Sequence, residues 1–200
     1  LVVATPALST LMLGTSPALF SMSMVMLLPA FVKQDLQAGP AELGVLSGML
    51  GVGAIIGSVA VVAYSRFRYK GAAVMLAALM DGVLVIVLAF TDSMLGAGIA
   101  LMLMGFSQAV YLAMIQTILQ LIVPHRLRGR VLSIWMLGWG LTPVGLLPLS
   151  AVAENFGTPV AMKIAGTFAV AIAVAIMLLM RSLWTLDAEA EGTLQAEPGI

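Results

Sequence analysis

The sequence predicts an all-α membrane protein whose chain crosses the bilayer six times. Three observations predict it. Hydrophobic residues make up 62% of the 200 positions and charged residues only 9%, and the mean hydropathy is +1.12. A soluble domain keeps roughly a quarter of its residues charged, because its whole surface must satisfy water. The few charges also fall in clusters, leaving residues 1–32, 43–65, 93–124 and 131–153 without any. Two further apolar stretches, 71–91 and 160–180, hold one charge each, Asp81 and Lys163. A helix needs roughly 20 apolar residues to cross about 30 Å of hydrocarbon, and all six stretches reach that length. None shows the short-period alternation of a barrel strand.

Taken in order, span one covers about 8–32, with Pro6 just before it and Pro17 and Pro29 within it, beside Thr15, Ser16, Ser21 and Ser23. An outer loop opens at Lys33-Gln34-Asp35 and turns at Gly39-Pro40. Span two covers about 41–63 and holds Gly44, Gly48, Gly51, Gly53 and Gly57, with Ser47 and Ser58 among them. At 100° per residue, Gly44, Ser47, Gly48 and Gly51 share one face, and Gly53 and Gly57 lie roughly opposite. Small residues four apart let helices approach closely in a bilayer. Such faces serve either as static packing or as a smooth surface that slides against a neighbour.

Span three, about 71–90, contains Asp81, the one acid deep within a span. A buried intramembrane carboxylate is costly, which makes Asp81 a proton-coupling candidate, with a structural role against a neighbour's backbone as the alternative. A short outer turn, Thr91-Asp92-Ser93, leads to span four, about 95–123, with Gln108 and Tyr111 near its middle. Amides in hydrocarbon must face protein, a cavity or water, so this pair implies either a helix–helix hydrogen bond or a substrate-facing site. Gln116 and Gln120 lie nearer the inner interface. Span five, about 131–153, runs through Gly138-Trp139-Gly140-Leu141-Thr142-Pro143, and Gly138, Gly140 and Pro143, like Pro17 in span one, are gating or hinge candidates. Proline removes a backbone hydrogen bond and bends a helix. After an outer loop at 154–159, span six covers about 160–181. Residues 1–182 thus form one transmembrane unit, and the acidic, Gly- and Pro-containing stretch 183–200 reads as a disordered cytoplasmic tail.

Basic residues alternate in placement. Arg66, Arg68 and Lys70 follow span two, Arg126, Arg128 and Arg130 follow span four, and Arg181 follows span six. Short loops rich in Lys and Arg mark the cytoplasmic side, so both ends of the chain are expected there, in a cytoplasmic (inner) membrane. Zero net charge gives no reason to expect nucleic acid. The absence of Cys excludes disulfides and thiolate metal sites. His125, the one histidine, sits in a basic loop, and no haem-ligating pair, paired-carboxylate metal motif or phosphate loop is present, so no cofactor and no metal is expected. No intramembrane His could activate Ser47 in Gly44-Val45-Leu46-Ser47-Gly48, which argues against an enzyme.

The run Pro124-His125-Arg126-Leu127-Arg128-Gly129-Arg130-Val131-Leu132-Ser133 resembles the junction between the tenth and eleventh helices of the major facilitator superfamily. The similarity is to its enterobactin-exporter-like and macrolide-efflux-like branch. Leu27-Leu28-Pro29-Ala30-Phe31-Val32 followed by Gly39-Pro40, and the stretch ending in Ala153-Glu154-Asn155-Phe156-Gly157, agree with it. The resemblance covers about residues 7–181. It implies the C-terminal six-helix half of a twelve-helix transporter, with the N-terminal half and the lipid bilayer as partners and a small molecule as substrate. It also implies alternating access, with efflux of amphiphilic compounds coupled to a proton gradient, and places Ser16, Phe20, Gln108 and Tyr111 on the substrate path. Arg126, Arg128, Gly129 and Arg130 form the cytoplasmic loop motif. The loop Tyr64–Gly71 departs from the family's pattern, with Ser65 and Arg68 where Asp and Gly usually stand, and Asp81 falls on a helix peripheral in the family. A non-transporting six-helix scaffold is the alternative reading of the chain.

Overall fold

The computed structural model describes residues 16–63, 70–122, 129, 133, 136 and 142–179. Six helices account for nearly all of them: α1 (Ser16–Gln34), α2 (Pro40–Ala63), α3 (Lys70–Leu88), α4 (Met94–Ile122), α5 (Thr142–Phe156) and α6 (Thr158–Leu179). No strand occurs among the described residues. Four stretches are long and apolar enough to cross a membrane, Pro40–Ala63, Gly71–Leu88, Met94–Ile118 and Thr158–Leu178. α1 is described in full only from Val25 onward, and α5 as described has 15 residues. Four of the six expected crossings therefore correspond to described helices of sufficient length and apolarity, and the other two do not among the described residues.

The helix ends follow local rules. Pro40 occupies the first helical position of α2, where its missing N–H costs nothing. Glu42 reaches back to accept the Gly39 N–H at 2.9 Å, half of a capping box. Ser93 caps α4 by accepting the Gly96 N–H at 3.1 Å. The outer loop expected at 154–159 is shorter in the structure, because Glu154, Asn155 and Phe156 continue α5. Gly157 alone separates α5 from α6, with φ +90°, a conformation that only glycine adopts without strain. Its N–H closes the last turn on the Ala153 carbonyl at 3.0 Å.

Packing is organised around two close crossings. α2 lies against α4, α4 against α3, and α3 against α6, which also meets α1 and α5. At the first crossing, Gly53 and Gly57 of α2 and Gly105 of α4 bring the two backbones together. A Cβ on Gly53 would collide with the Met102 carbonyl, and one on Gly57 would stand 2.6 Å from the Phe106 carbonyl oxygen. At the second, a Cβ on Gly166 of α6 would stand 2.9 Å from the Gly82 carbonyl oxygen of α3. Gly44, Gly48 and Gly51 have open space on the other side of α2. The two small faces of that helix are therefore unequal, one packed and one open.

The apolar core collects Leu27, Leu28, Phe31 and Val32 of α1, Leu84, Val85 and Leu88 of α3, and Ala97, Leu101 and Met104 of α4. It is completed by Leu149 and Ala153 of α5 and Ala161, Met162 and Ala165 of α6. These residues lie toward the same end of the antiparallel helices, the end of the Lys33, Asp92 and Glu154 turns, so that end of the bundle is plugged. Outward, the helices present Ile55, Val62, Leu95, Leu147 and Leu178, each 66–75% exposed. A side chain of that kind gains about 1.5–3 kcal/mol by leaving water. Such a surface suits hydrocarbon.

Candidate functional site

Among the described residues, a polar cluster lies inside the bundle, between α3 and α4. Successive residues on a helix diverge by 100°, so Gly82 turns to α6 while Asp81 turns to α4. Asp81 is 5% exposed and Ser107 1% exposed, both among apolar neighbours. The Ser107 hydroxyl donates to Asp81 Oδ1 at 3.4 Å, and the Gln108 amide Nε2 donates to the same oxygen at 3.4 Å. Ser107 Oγ also lies 2.9 Å from the Met104 carbonyl oxygen one turn back. Tyr111, 5% exposed, stands within electrostatic reach of Asp81. Both donors to the carboxylate are longer than the 2.7–2.9 Å usual when an acceptor is ionised.

Two sequence readings meet here. Asp81 and the Gln108–Tyr111 pair, separate candidates in the sequence, share one site. The helix–helix hydrogen bond, one of two readings open for Gln108, is the contact its amide makes. Asp81 accepts hydrogen bonds from two side chains of α4. Ser107 was missed altogether. A serine in a membrane helix commonly satisfies itself on the preceding turn, as Ser58, Thr117 and Thr167 do in this chain. Nothing local distinguished it from them.

The other candidates are dispersed. Ser16, Pro17 and Phe20 lie on the first turns of α1, and their side chains fall outside the described residues. Pro143 is exposed in the first described turn of α5, while Gly138 and Gly140 fall outside the description. Arg126, Arg128 and Arg130 are also outside it. Gly129 is helical, and its carbonyl accepts the Ser133 hydroxyl at 2.8 Å. The glycine and serine of the loop motif are thus joined by a bond that the sequence spacing of four permits.

A second polar group lies at the end of the bundle that holds the Lys33, Asp92 and Glu154 turns. Thr158, 1% exposed, donates from its hydroxyl to Gln34 Oε1 at 3.4 Å, tying α6 to α1. Partial burial holds the neighbouring Asp35 carboxyl above the usual range, and a bond from Thr158 opposes that shift. Lys163 places its ammonium 4.0 Å from the centroid of the Phe90 ring, a cation–π contact at the same end. Among the described residues no three His, Cys, Asp or Glu side chains gather as a metal site requires.

The model of the family described as transmembrane secretion effectors matches residues 3–198. No curated protein matches the chain. With apolar helices able to span a bilayer and a family match over almost its whole length, the chain belongs to the transmembrane secretion effector family of major-facilitator-type membrane transporters.

Proposed function

We propose that this chain is the C-terminal six-helix half of an exporter that moves amphiphilic small molecules by alternating access, driven by a proton gradient. The observation that carries the reading is the buried Asp81–Ser107–Gln108 group among largely apolar helices. Polar side chains at that depth are expensive and mark substrate or ion pathways by default. The family's association with secretion supports the outward direction. Alternating access requires two halves that rock about a central site, and the open Gly44–Gly48–Gly51 face of α2 offers a smooth surface for such movement. Resemblance to the enterobactin-exporter-like and macrolide-efflux-like branch is consistent with an amphiphilic cargo.

The test is transport by the full-length protein in vesicles with an imposed pH gradient. Gradient-dependent movement of lipophilic compounds is expected. A correctly inserted protein that moves none of a broad panel would favour the scaffold reading. Orientation is tested separately. With Arg128→Cys, impermeant thiol reagents are expected to label only from the cytoplasmic side, and labelling from outside would overturn the placement of the basic loops.

A further inference from the structure

We propose that Lys163 of α6 and the Phe90 ring, just past α3, hold the phosphate of an anionic membrane phospholipid. Its acyl chain lies on the apolar face of α3 beneath that ring. The inference needs only a chain that spans a bilayer, and is independent of cargo, direction and energy source.

Lys163 is the sixth residue of α6 and falls inside the membrane-crossing stretch Thr158–Leu178. The Gly157 turn interrupts the helices on either side of it, and interrupted backbone belongs at the polar surface. At 1.5 Å per residue, the Lys163 Cα lies about 7–8 Å from Thr158 along the axis. The headgroup layer is about 5–7 Å deep in each leaflet, so this backbone sits near its floor. A charge there is costly unless it reaches polar partners. Side chains on α6 tilt toward the helix N-terminus, and so toward the headgroups. The lysine stem is long enough to carry its ammonium up among them.

The ammonium stands 4.0 Å from the centroid of the Phe90 ring. That ring is 66% exposed, and the Phe90 N–H donates to the Val87 carbonyl at 3.0 Å, which fixes the backbone that carries it. A ring face engages one side of an ammonium, which has three N–H donors. Among the described residues no carboxylate pairs with Lys163, and Asp92, two positions beyond Phe90, is no exception. Lys163 is thus a half-buried cation at headgroup height, steadied by a ring and with donors left for an anion.

Below the ring the surface is apolar. Val83, Val87 and Phe90 recur at helical spacing, so they share one face of α3, and all three are exposed. Exposed Ile164 continues that surface on α6. A molecule with a phosphate at the ammonium and hydrocarbon beneath it meets both features. A phospholipid has that shape, whereas a free phosphate ion gains nothing from the valines. Choline places its own cation beside the phosphate, so a lipid with a net anionic headgroup is favoured over phosphatidylcholine. The bound lipid bridges α3 and α6 above their close crossing at Gly82 and Gly166.

The experiment uses the full-length protein in nanodiscs of equal parts phosphatidylcholine and phosphatidylglycerol. Native mass spectrometry is expected to find one more retained phosphatidylglycerol on the wild type than on Lys163→Ala. The preference for phosphatidylglycerol at this place is expected to be about fivefold, the worth of one lysine near an anionic headgroup. Lys163→Arg should keep it, because a guanidinium pairs with both phosphate and ring. Phe90→Leu should weaken it about twofold through the lost cation–π contact. Lys33→Ala, at the same end of the bundle, should leave it unchanged. Melting in pure phosphatidylcholine should be the same for wild type and Lys163→Ala, which separates a lost lipid from a lost fold. Should Lys163→Ala fail to fold, Lys163→Arg, Lys163→Gln and Phe90→Leu carry the test. Equal retention of phosphatidylglycerol by wild type and Lys163→Ala, or by wild type and Lys163→Gln, would overturn the proposal. Displacement of the lipid by millimolar inorganic phosphate would overturn it too, and assign the place to a soluble anion. An intact lipid preference in a protein that moves no compound would sink the exporter reading alone.

Discussion

Gly53→Leu is expected to leave little folded protein, whereas Gly48→Leu on the same helix is expected to leave the bundle intact. A side chain at 53 would be driven into the Met102 carbonyl, which belongs to backbone and cannot rotate aside. Gly105 faces the same constraint from the Leu50 carbonyl, so the crossing has no slack on either helix. Overpacking a core costs about 1–3 kcal/mol and occasionally more, and a clash with backbone on both helices stands at the upper end of that range, against the roughly 5–15 kcal/mol that holds a typical domain. A Cβ at 48 meets nothing within 4 Å. Detergent extraction, size-exclusion profile and thermal melting of the two variants decide the matter. Equal melting would mean that the α2–α4 contact does not carry the stability assigned to it. If the open face of α2 slides against the other half, Gly48→Leu should also lose transport while melting normally.

Residues 1–200 expressed alone are expected to insert, extract and melt as a unit, yet to carry no substrate above background. The plug, the α2–α4 crossing and the α3–α6 crossing all lie within the chain, so the bundle has its own core. Alternating access is different in kind, because one half must rock against another around a shared midplane site. The measurement is gradient-driven movement of a lipophilic amine in vesicles holding either the isolated chain or the full-length protein. Movement by the isolated chain at a rate comparable to the full-length protein would contradict the half-transporter reading.

Much of the fold was legible in one dimension. Charge-free stretches foretold α2, α3, α4 and α6, the four helices long and apolar enough to span a membrane, since an apolar run ends where water begins. The boundary between α5 and α6 was less legible. The 154–159 loop looked polar enough to be irregular, but Glu154 and Asn155 extend α5 with their side chains exposed. Gly157 then reverses the chain in one residue, and a φ value cannot be read from composition. The glycine periodicity of α2 separated its two faces correctly in angle, without indicating which of them another helix would occupy.

The polar cluster shows the same division more sharply. That Asp81 needs partners follows from its type and depth alone, because a carboxylate in hydrocarbon cannot stand without hydrogen bonds. That Gln108 needs them follows likewise. Their meeting, 27 positions apart, depends on how α3 crosses α4, and Ser107 joins them only because the same crossing points it inward.

The sequence by itself determined the solvent, the helices and the small faces of α2 that permit close backbone approach, because hydrophobicity, charge placement and side-chain size act locally along the chain. Only the tertiary structure decided which small face of α2 is packed and which polar side chains share a site. Those outcomes depend on helix crossings, and a crossing is a property of two elements at once.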